Sequence, residues 1–316
     1  MKKSLTILLI LLVSIFVVAC GTKSNNVSKT GFIGGKEGLI STLSISSSST
    51  KANEIFDNNA EPFQVALNLK NKGEATVKAG DVIIELNGID LSAFQISEKD
   101  GVSKNLDQLD KSRVEGGKLL PVSETNIVYN ANYKYNEPTD KTQDLGVNFC
   151  YKYQTLTTSD ACLRKDITKT STDAKCKVEE QKLAGNSGSP VQVTLINERP
   201  SSQNEVTFTV QVENLGKGTV YDQSFLSKNK CHEDKDDKNK LHISINFPEN
   251  NPVIKCERFG GSNEGTLTMF QNKASVSCSV DTSSLQETTF TKSLRVTSDY
   301  VYQDAISTKI VIKSTS

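Results

Sequence analysis

Phe63-Gln64-Val65-Ala66-Leu67-Asn68-Leu69-Lys70 followed by Asn71-Lys72-Gly73 is the stretch that decides the fold. Phe63, Val65, Leu67 and Leu69 alternate with smaller or polar residues, the period of two that gives a strand one apolar face. Asn-x-Gly then carries turn chemistry. The pattern recurs downstream, where Val206, Phe208, Val210 and Val212 alternate before Asn214-Leu215-Gly216. Phe63–Val77 aligns with Val206–Val220 without gaps at an offset of 143. Leu145, Val147, Tyr151, Tyr153 and Gln154 fall on Leu294, Val296, Tyr300, Tyr302 and Gln303 at an offset of 149. Two separated matches in the same order point to a tandem duplication. One unit is expected over residues 36–170 and the other over 188–316, with a linker at 171–187.

Further strands are predicted at Val82–Leu86, His242–Phe247, Gly265–Phe270, Ala274–Val280, Ser293–Ser298 and Ser307–Lys313. Asn87-Gly88 reads as a hairpin-type turn. Lys104 to Arg113 is the one stretch that hints at a short helix. Short strands with polar turns predict an all-β chain of two tandem antiparallel sandwiches. The alternating strand ending in Asn-x-Gly resembles the Ig-like modules of prokaryotic surface proteins, the CARDB-like group. The resemblance implies that the Gly takes a positive φ where two strands reverse. Cys150-Tyr151-Lys152-Tyr153, Cys162 and Gly188-Ser189-Pro190-Val191 also resemble the pattern of uncharacterised exported archaeal surface lipoproteins. These shared motifs are structural and transfer no catalytic residue.

The N-terminus gives the compartment. Met1-Lys2-Lys3 precedes an apolar run from Leu5 to Ala19, and Val17-Val18-Ala19-Cys20-Gly21 closes it. Fifteen helical residues span roughly 22 Å, short of the ~30 Å hydrocarbon core of a bilayer, which suits a signal peptide better than a permanent span. The order of charge, apolar core, small residue and Cys resembles the lipobox of prokaryotic lipoproteins. It implies a signal peptide over 1–20, lipidation of Cys20 and a membrane anchor on the outer side of the cell membrane. Residues 21–35 read as a polar tether, with Asn26-Val27-Ser28 as a glycosylation sequon.

Six other cysteines remain, Cys150, Cys162, Cys176, Cys231, Cys256 and Cys278. An even number in an exported chain favours disulfides, and the absence of C-x-x-C disfavours zinc and thioredoxin-like chemistry. Cys150 and Cys162 flank Thr155 to Asp160, read as a polar turn, and are expected to pair. Cys256 and Cys278 lie on strand-like runs and are expected to pair, leaving Cys176 for Cys231.

The chain has 37 basic and 37 acidic residues, so no basic surplus points to nucleic acid. The densest polar cluster runs from Cys231-His232 through Asp237, with His242 nearby. Its carboxylates suggest calcium, but the spacing is not that of an EF-hand, and a solvated loop is the better reading. The Tyr151/Tyr153 and Tyr300/Tyr302 pairs each face one side of a strand, and packing is preferred over sugar stacking. No nucleophile–base or zinc-protease motif occurs, and the glycine pairs lack the context of phosphate loops. The expectation is a non-enzymatic surface module, without cofactor or metal, that acts in binding, adhesion or envelope assembly with other surface proteins. The alternatives are a solute-binding lipoprotein of a transporter and a secreted hydrolase with an unrecognised site.

Overall fold

The computed structural model describes residues 31–105, 107–167, 176–232 and 234–315. Cys20, the signal peptide and Asn26 lie outside the described residues. In the first half the strands are β1 (Leu39–Ser46), β2 (Glu54–Phe56), β3 (Phe63–Asn71), β4 (Val82–Asn87), β5 (Val102–Lys104), β6 (Val114–Glu115), β7 (Lys118–Leu119), β8 (Glu124–Ala131) and β9 (Lys141–Leu163). The linker carries β10 (Glu180–Lys182) and β11 (Gly185–Asn186). The second half has β12 (Val191–Ser202), β13 (Glu205–Asn214), β14 (Thr219–Tyr221), β15 (Lys240–Asn246), β16 (Ile254–Cys256), β17 (Glu264–Thr268), β18 (Lys273–Asp281) and β19 (Phe290–Lys313). Strands take 53% of the chain, so the all-β reading holds.

The alternation works as the sequence implies. Val65, Leu67 and Leu69 of β3 and Val206, Phe208, Val210 and Val212 of β13 are wholly buried, while their neighbours are not. A buried Val or Leu contributes about 1.5–3 kcal/mol relative to exposure, which fixes the register of both strands. Each half places β3 or β13 centrally in a smaller sheet, ordered β1-β3-β8 in one and β10-β12-β13-β18-β16 in the other.

The smaller sheets draw on one side of the chain each, the second taking β10 from the linker, whereas the large one draws on both. A single nine-stranded sheet runs β17-β15-β19-β9-β4-β5, with β2, β11 and β14 beside it, and draws on both halves. Its centre is the antiparallel pair β9/β19, in register from Phe290 opposite Leu163 to Ile312 opposite Lys141. The duplication offset of 149 carries Lys152 onto Val301, and these two residues face each other in the pair. The halves are therefore related by a pseudo-twofold axis through Lys152/Val301. The sandwich of the first half is completed by the end of β19, and that of the second half by the end of β9.

This architecture corrects several local expectations. Ser293–Ser298 and Ser307–Lys313 are parts of one strand, because the segment between them stays paired with β9. Thr155 to Asp160 is strand and not turn, for the same reason. Asn87-Gly88 ends β4, but the next strand starts at Val102, so no tight hairpin forms. The region after β5 is not helical; Leu109 instead bridges Val77 through paired backbone hydrogen bonds.

The disulfides are Cys150–Cys231, Cys162–Cys176 and Cys256–Cys278. The last is as expected, with the two residues directly opposite on β16 and β18. The Cys150–Cys162 pairing is overturned because both lie on β9, twelve residues apart in an extended strand and so roughly 40 Å from each other. Cys162 closes onto Cys176 and pins the linker, and Cys150 ties the first half's strand to a loop of the second. Disulfides of this kind persist in oxidising compartments outside the cytoplasm.

Candidate functional site

The functional groups collect at the pseudo-twofold axis. Tyr151, Tyr153, Tyr300 and Tyr302 occupy alternate positions of β9 and β19, so all four rings enter the same side of the sheet. All are at least 96% buried. Tyr151 and Tyr302 lie 5.8 Å apart between ring centres, and Tyr153 and Tyr300 6.4 Å. Burial removes any sugar-stacking face and agrees with the packing role.

Each hydroxyl is used, and the uses repeat by symmetry. Tyr153 donates to Asn71 Oδ1 at 3.1 Å and accepts from Ala75 N at 3.4 Å. Tyr302 donates to Asn214 Oδ1 at 3.3 Å and accepts from Gly218 N at 2.8 Å. Asn71 Nδ2 in turn donates to Ala75 O, and Asn214 Nδ2 to Gly218 O, at 2.7 and 2.8 Å. Tyr151 accepts from Leu39 N, where β1 starts, and Tyr300 meets Thr155 Oγ1. Burial pushes the Tyr302 hydroxyl up to about 12 and also raises those of Tyr151, Tyr153 and Tyr300 well above the ordinary phenol value. These phenols stay neutral and serve as fixed hydrogen-bonding posts.

The cluster explains the repeated Asn-x-Gly differently from the expectation. Neither Gly73 nor Gly216 has a positive φ. A Cβ on Gly73 would lie 2.0 Å from the Tyr153 hydroxyl, and one on Gly216 2.1 Å from that of Tyr302. Glycine recurs because a buried tyrosine tip needs its space. The glycines and the tyrosines each stand out in the sequence, but their contact lies between sheets and leaves no local signal.

The described carboxylates of the acidic loop are engaged by a cation of the chain itself. Asp234 and Asp237 both hold Lys228 Nζ, at 2.6 and 2.7 Å, and the two carboxylates raise the ammonium. His232 faces Glu85 at 3.3 Å, and His242 faces Glu264 at 3.9 Å, so the two histidines have different partners. Among the described residues no cluster of His, Cys, Asp and Glu could hold a metal ion. The loop serves as a cap. Phe225 and Leu226, in a 3-10 turn that Asp222 caps, pack with Ile83, Tyr221 and Val301 on the opposite face of the large sheet. Cys231 locks this cap to Cys150, and its N–H donates to Glu85 at 2.9 Å.

Two clefts flank the first sandwich. One, of about 440 Å³, opens beside the axis between the start of β1 and Asp304–Ile306 of β19, with Tyr151, Tyr302 and Lys217 in its wall. Burial raises the Asp304 carboxyl. The other, of about 510 Å³, lies between β5 and β8 beside Tyr129. Neither Asp304 nor the cleft beside it was singled out by sequence, since Thr155 stands at the duplicated position of Asp304 and the repeat is broken there.

No protein family model and no curated relative matches the chain. Among solved structures, it is similar to the serine-rich repeat adhesion glycoprotein Srr1 of Streptococcus agalactiae, with 11% identity over 89% of this chain and 99% of that one, at a TM-score of 0.19. The major capsid protein P2 of bacteriophage PM2 shows 7% identity over 84% and 98%, with a TM-score of 0.14. The serine-rich repeat protein Srr2 of Streptococcus agalactiae shows 9% identity over 88% and 94%, with a TM-score of 0.13. At such scores these likenesses carry no argument.

Proposed function

We propose that this chain is a non-catalytic binding module, held by a lipid on Cys20 at the outer face of the cell membrane, and that it acts in adhesion or envelope assembly through contacts with other surface proteins. The supporting observation is the welded centre. The four tyrosines are buried and committed to holding two sandwiches in one fixed arrangement around β9/β19. Three disulfides add to that rigidity. A stiff two-sandwich body on a polar tether suits presentation of strand edges and loops to partners.

The anchor is tested by metabolic labelling with an alkyne fatty acid and detergent phase partition. The wild-type chain is expected in the detergent phase with label, and Cys20→Ser unlabelled in the aqueous phase. Equal partition of the two would sink the anchor. The binding role is tested by crosslinking on intact cells, where a reproducible surface partner lost on chain deletion is expected. Turnover of a substrate by the purified mature chain would overturn the non-catalytic reading.

A further inference from the structure

The pseudo-twofold axis gives an internal control, because what one sandwich does can be compared with the other. In the second sandwich the linker closes one side. β10 pairs with the edge of β12, and β11 pairs with Thr157–Thr158 of β9. Leu156 N donates to Ser187 Oγ at 3.0 Å, and Ser187 N donates to Leu156 O at 2.8 Å. Asn186 reaches across to β12, accepting from Val193 N and donating to Val193 O, both at 3.0 Å. One extended segment thus joins two sheet edges.

The duplication carries Leu156 onto Ala305 and Thr158 onto Ser307. In the first sandwich this stretch of β19 has no such strand among the described residues. β14 pairs with Val301–Gln303 and β2 with Val311–Lys313, leaving Asp304 to Lys309 between them. Val311 N donates to Asn53 O on this side, so the odd-numbered residues turn their backbone away from β9. Ala305, Ser307 and Lys309 therefore present N–H and C=O groups to the opening. The facing edge is β1. Its even-numbered residues bond β3, as Gly38 O does in accepting from Lys72 N, so Ser41, Leu43 and Ile45 point their backbone into the same opening. Leu43, Ile45 and Ile306 are half-buried between the two edges. The described residues that precede β1, 31–38, do not close the gap as their counterparts do. Ile33 N and Gly34 N instead donate to the Glu74 carboxylate at 2.9 and 2.8 Å, beside Gly188 N at 2.6 Å.

We propose that the Asp304–Lys309 edge of β19 receives an extended segment of a partner polypeptide as an added strand, with apolar side chains at alternate positions entering the seam lined by Leu43, Ile45 and Ile306. The proposal rests on the reading of the chain as a binding module and names the form of its partner. The occupant is a single strand because the slot is about six residues, roughly 20 Å, and is bounded by β14 and β2. The sheet edge of a second copy would meet those two strands. Apolar alternation follows from the seam, and backbone pairing from the edge, the two elements of recognition by strand addition. Asp304 guards this edge: its Oδ1 accepts from Ala305 N at 2.8 Å, where Ser187 Oγ serves Leu156 in the other half. An incoming carbonyl displaces that carboxylate.

The test uses the full mature chain and the capped peptide Lys-Val-Thr-Val-Thr-Val-Lys, read by amide hydrogen exchange and by fluorescence anisotropy of a labelled copy. Added peptide is expected to slow exchange at Ala305, Ser307 and Lys309 at least tenfold. Ser307→Pro removes only an edge N–H, leaves the β9 pairing untouched, and is expected to abolish the effect while retaining the wild-type urea midpoint. Asp304→Ala frees the Ala305 N–H and is expected to tighten binding about tenfold, the worth of one charge-assisted hydrogen bond. Both variants are needed, since a fold defect in one leaves the other to decide. The proposal is overturned if millimolar peptide leaves these amides unchanged or protects the β8 edge instead. It is also overturned if the chain dimerises through this edge, or if the three amides are already protected and lose that protection when residues 21–30 are deleted. Cleavage of the peptide would refute the non-catalytic reading without touching the edge, and failure to bind would leave that reading standing.

Discussion

Tyr302→Phe removes one oxygen at the centre of the molecule, and its effect should be felt in both halves. The hydroxyl accepts from Gly218 N at 2.8 Å and donates to Asn214 Oδ1 at 3.3 Å. Asn214 Oδ1 keeps a second donor in Gly216 N at 3.1 Å, so its loss is partial. Orphaning the half-buried Gly218 N–H costs about 1–3 kcal/mol, and the lost bond to Asn214 about 0.5–1.5 kcal/mol. The sum is roughly 2–4 kcal/mol. Tyr153→Phe, the symmetric change, loses a longer bond to Ala75 N at 3.4 Å and should cost less, roughly 1–2 kcal/mol. Because β9 and β19 belong to both sandwiches, neither sandwich can open alone without stripping the other of a central strand. Native-state hydrogen exchange at Leu67 in β3 and Val210 in β13 reads global opening in each half. Both amides should lose protection by the same free energy in Tyr302→Phe, alongside a single urea transition with an unchanged slope. Loss confined to Val210, two transitions, or a smaller cost for Tyr302→Phe than for Tyr153→Phe would refute the shared-strand reasoning.

Gly73→Ala places a methyl 2.0 Å from the Tyr153 hydroxyl and 2.6 Å from two backbone oxygens, and should cost about 3 kcal/mol or more, only partly recovered in the Tyr153→Phe background; full recovery in a double-mutant urea cycle would show that the backbone contacts do not matter. Replacing Cys150 and Cys231 by Ala opens a loop with a sequence separation of 81 and should lower stability by about 4.5 kcal/mol on the chain-entropy model, against about 3 kcal/mol for Cys162 and Cys176 at a separation of 14; denaturant melts rank the two, and non-reducing peptide maps verify the pairs. Glu198 is wholly buried beside Lys182 Nζ at 2.9 Å, and burial pushes its carboxyl up to about 7 against the pull of Lys182 and the Cys162 N–H. Its folded value lies above its unfolded one, so its contribution is full below about pH 4.5 and is lost as pH rises through about 7, a fall of roughly 3 kcal/mol that Glu198→Gln should flatten in melts across that range.

Much of the strand inventory was legible because period-two alternation is local. β3, β4, β13, β15 and β18 all fall where apolar residues alternate, and the duplication was visible because Phe63–Val77 and Val206–Val220 carry it without gaps. The continuity of β9 and β19 was hidden. Thr155 to Asp160 is polar enough to resemble a turn, and Asp299 to Ile306 fell between two predicted strands, yet both stay extended because β9 and β19 pair with each other throughout. Two of the three disulfides were misassigned for the same reason, since a supposed turn brought Cys150 and Cys162 together when one straight strand holds them apart.

By itself the sequence determined the class of structure and carried the internal repeat, because these rest on neighbours along the chain. Only the tertiary structure decided that the two sandwiches share a sheet, that Gly73 and Gly216 make room for tyrosine tips, and that the edge closed by the linker in one half has no paired strand at Asp304–Lys309 among the described residues of the other. The physical reason is range. Alternation, turn chemistry and an apolar leader are properties of a few consecutive residues, whereas a pairing between residues about 150 positions apart is selected by burial and backbone hydrogen bonding summed over the whole sheet.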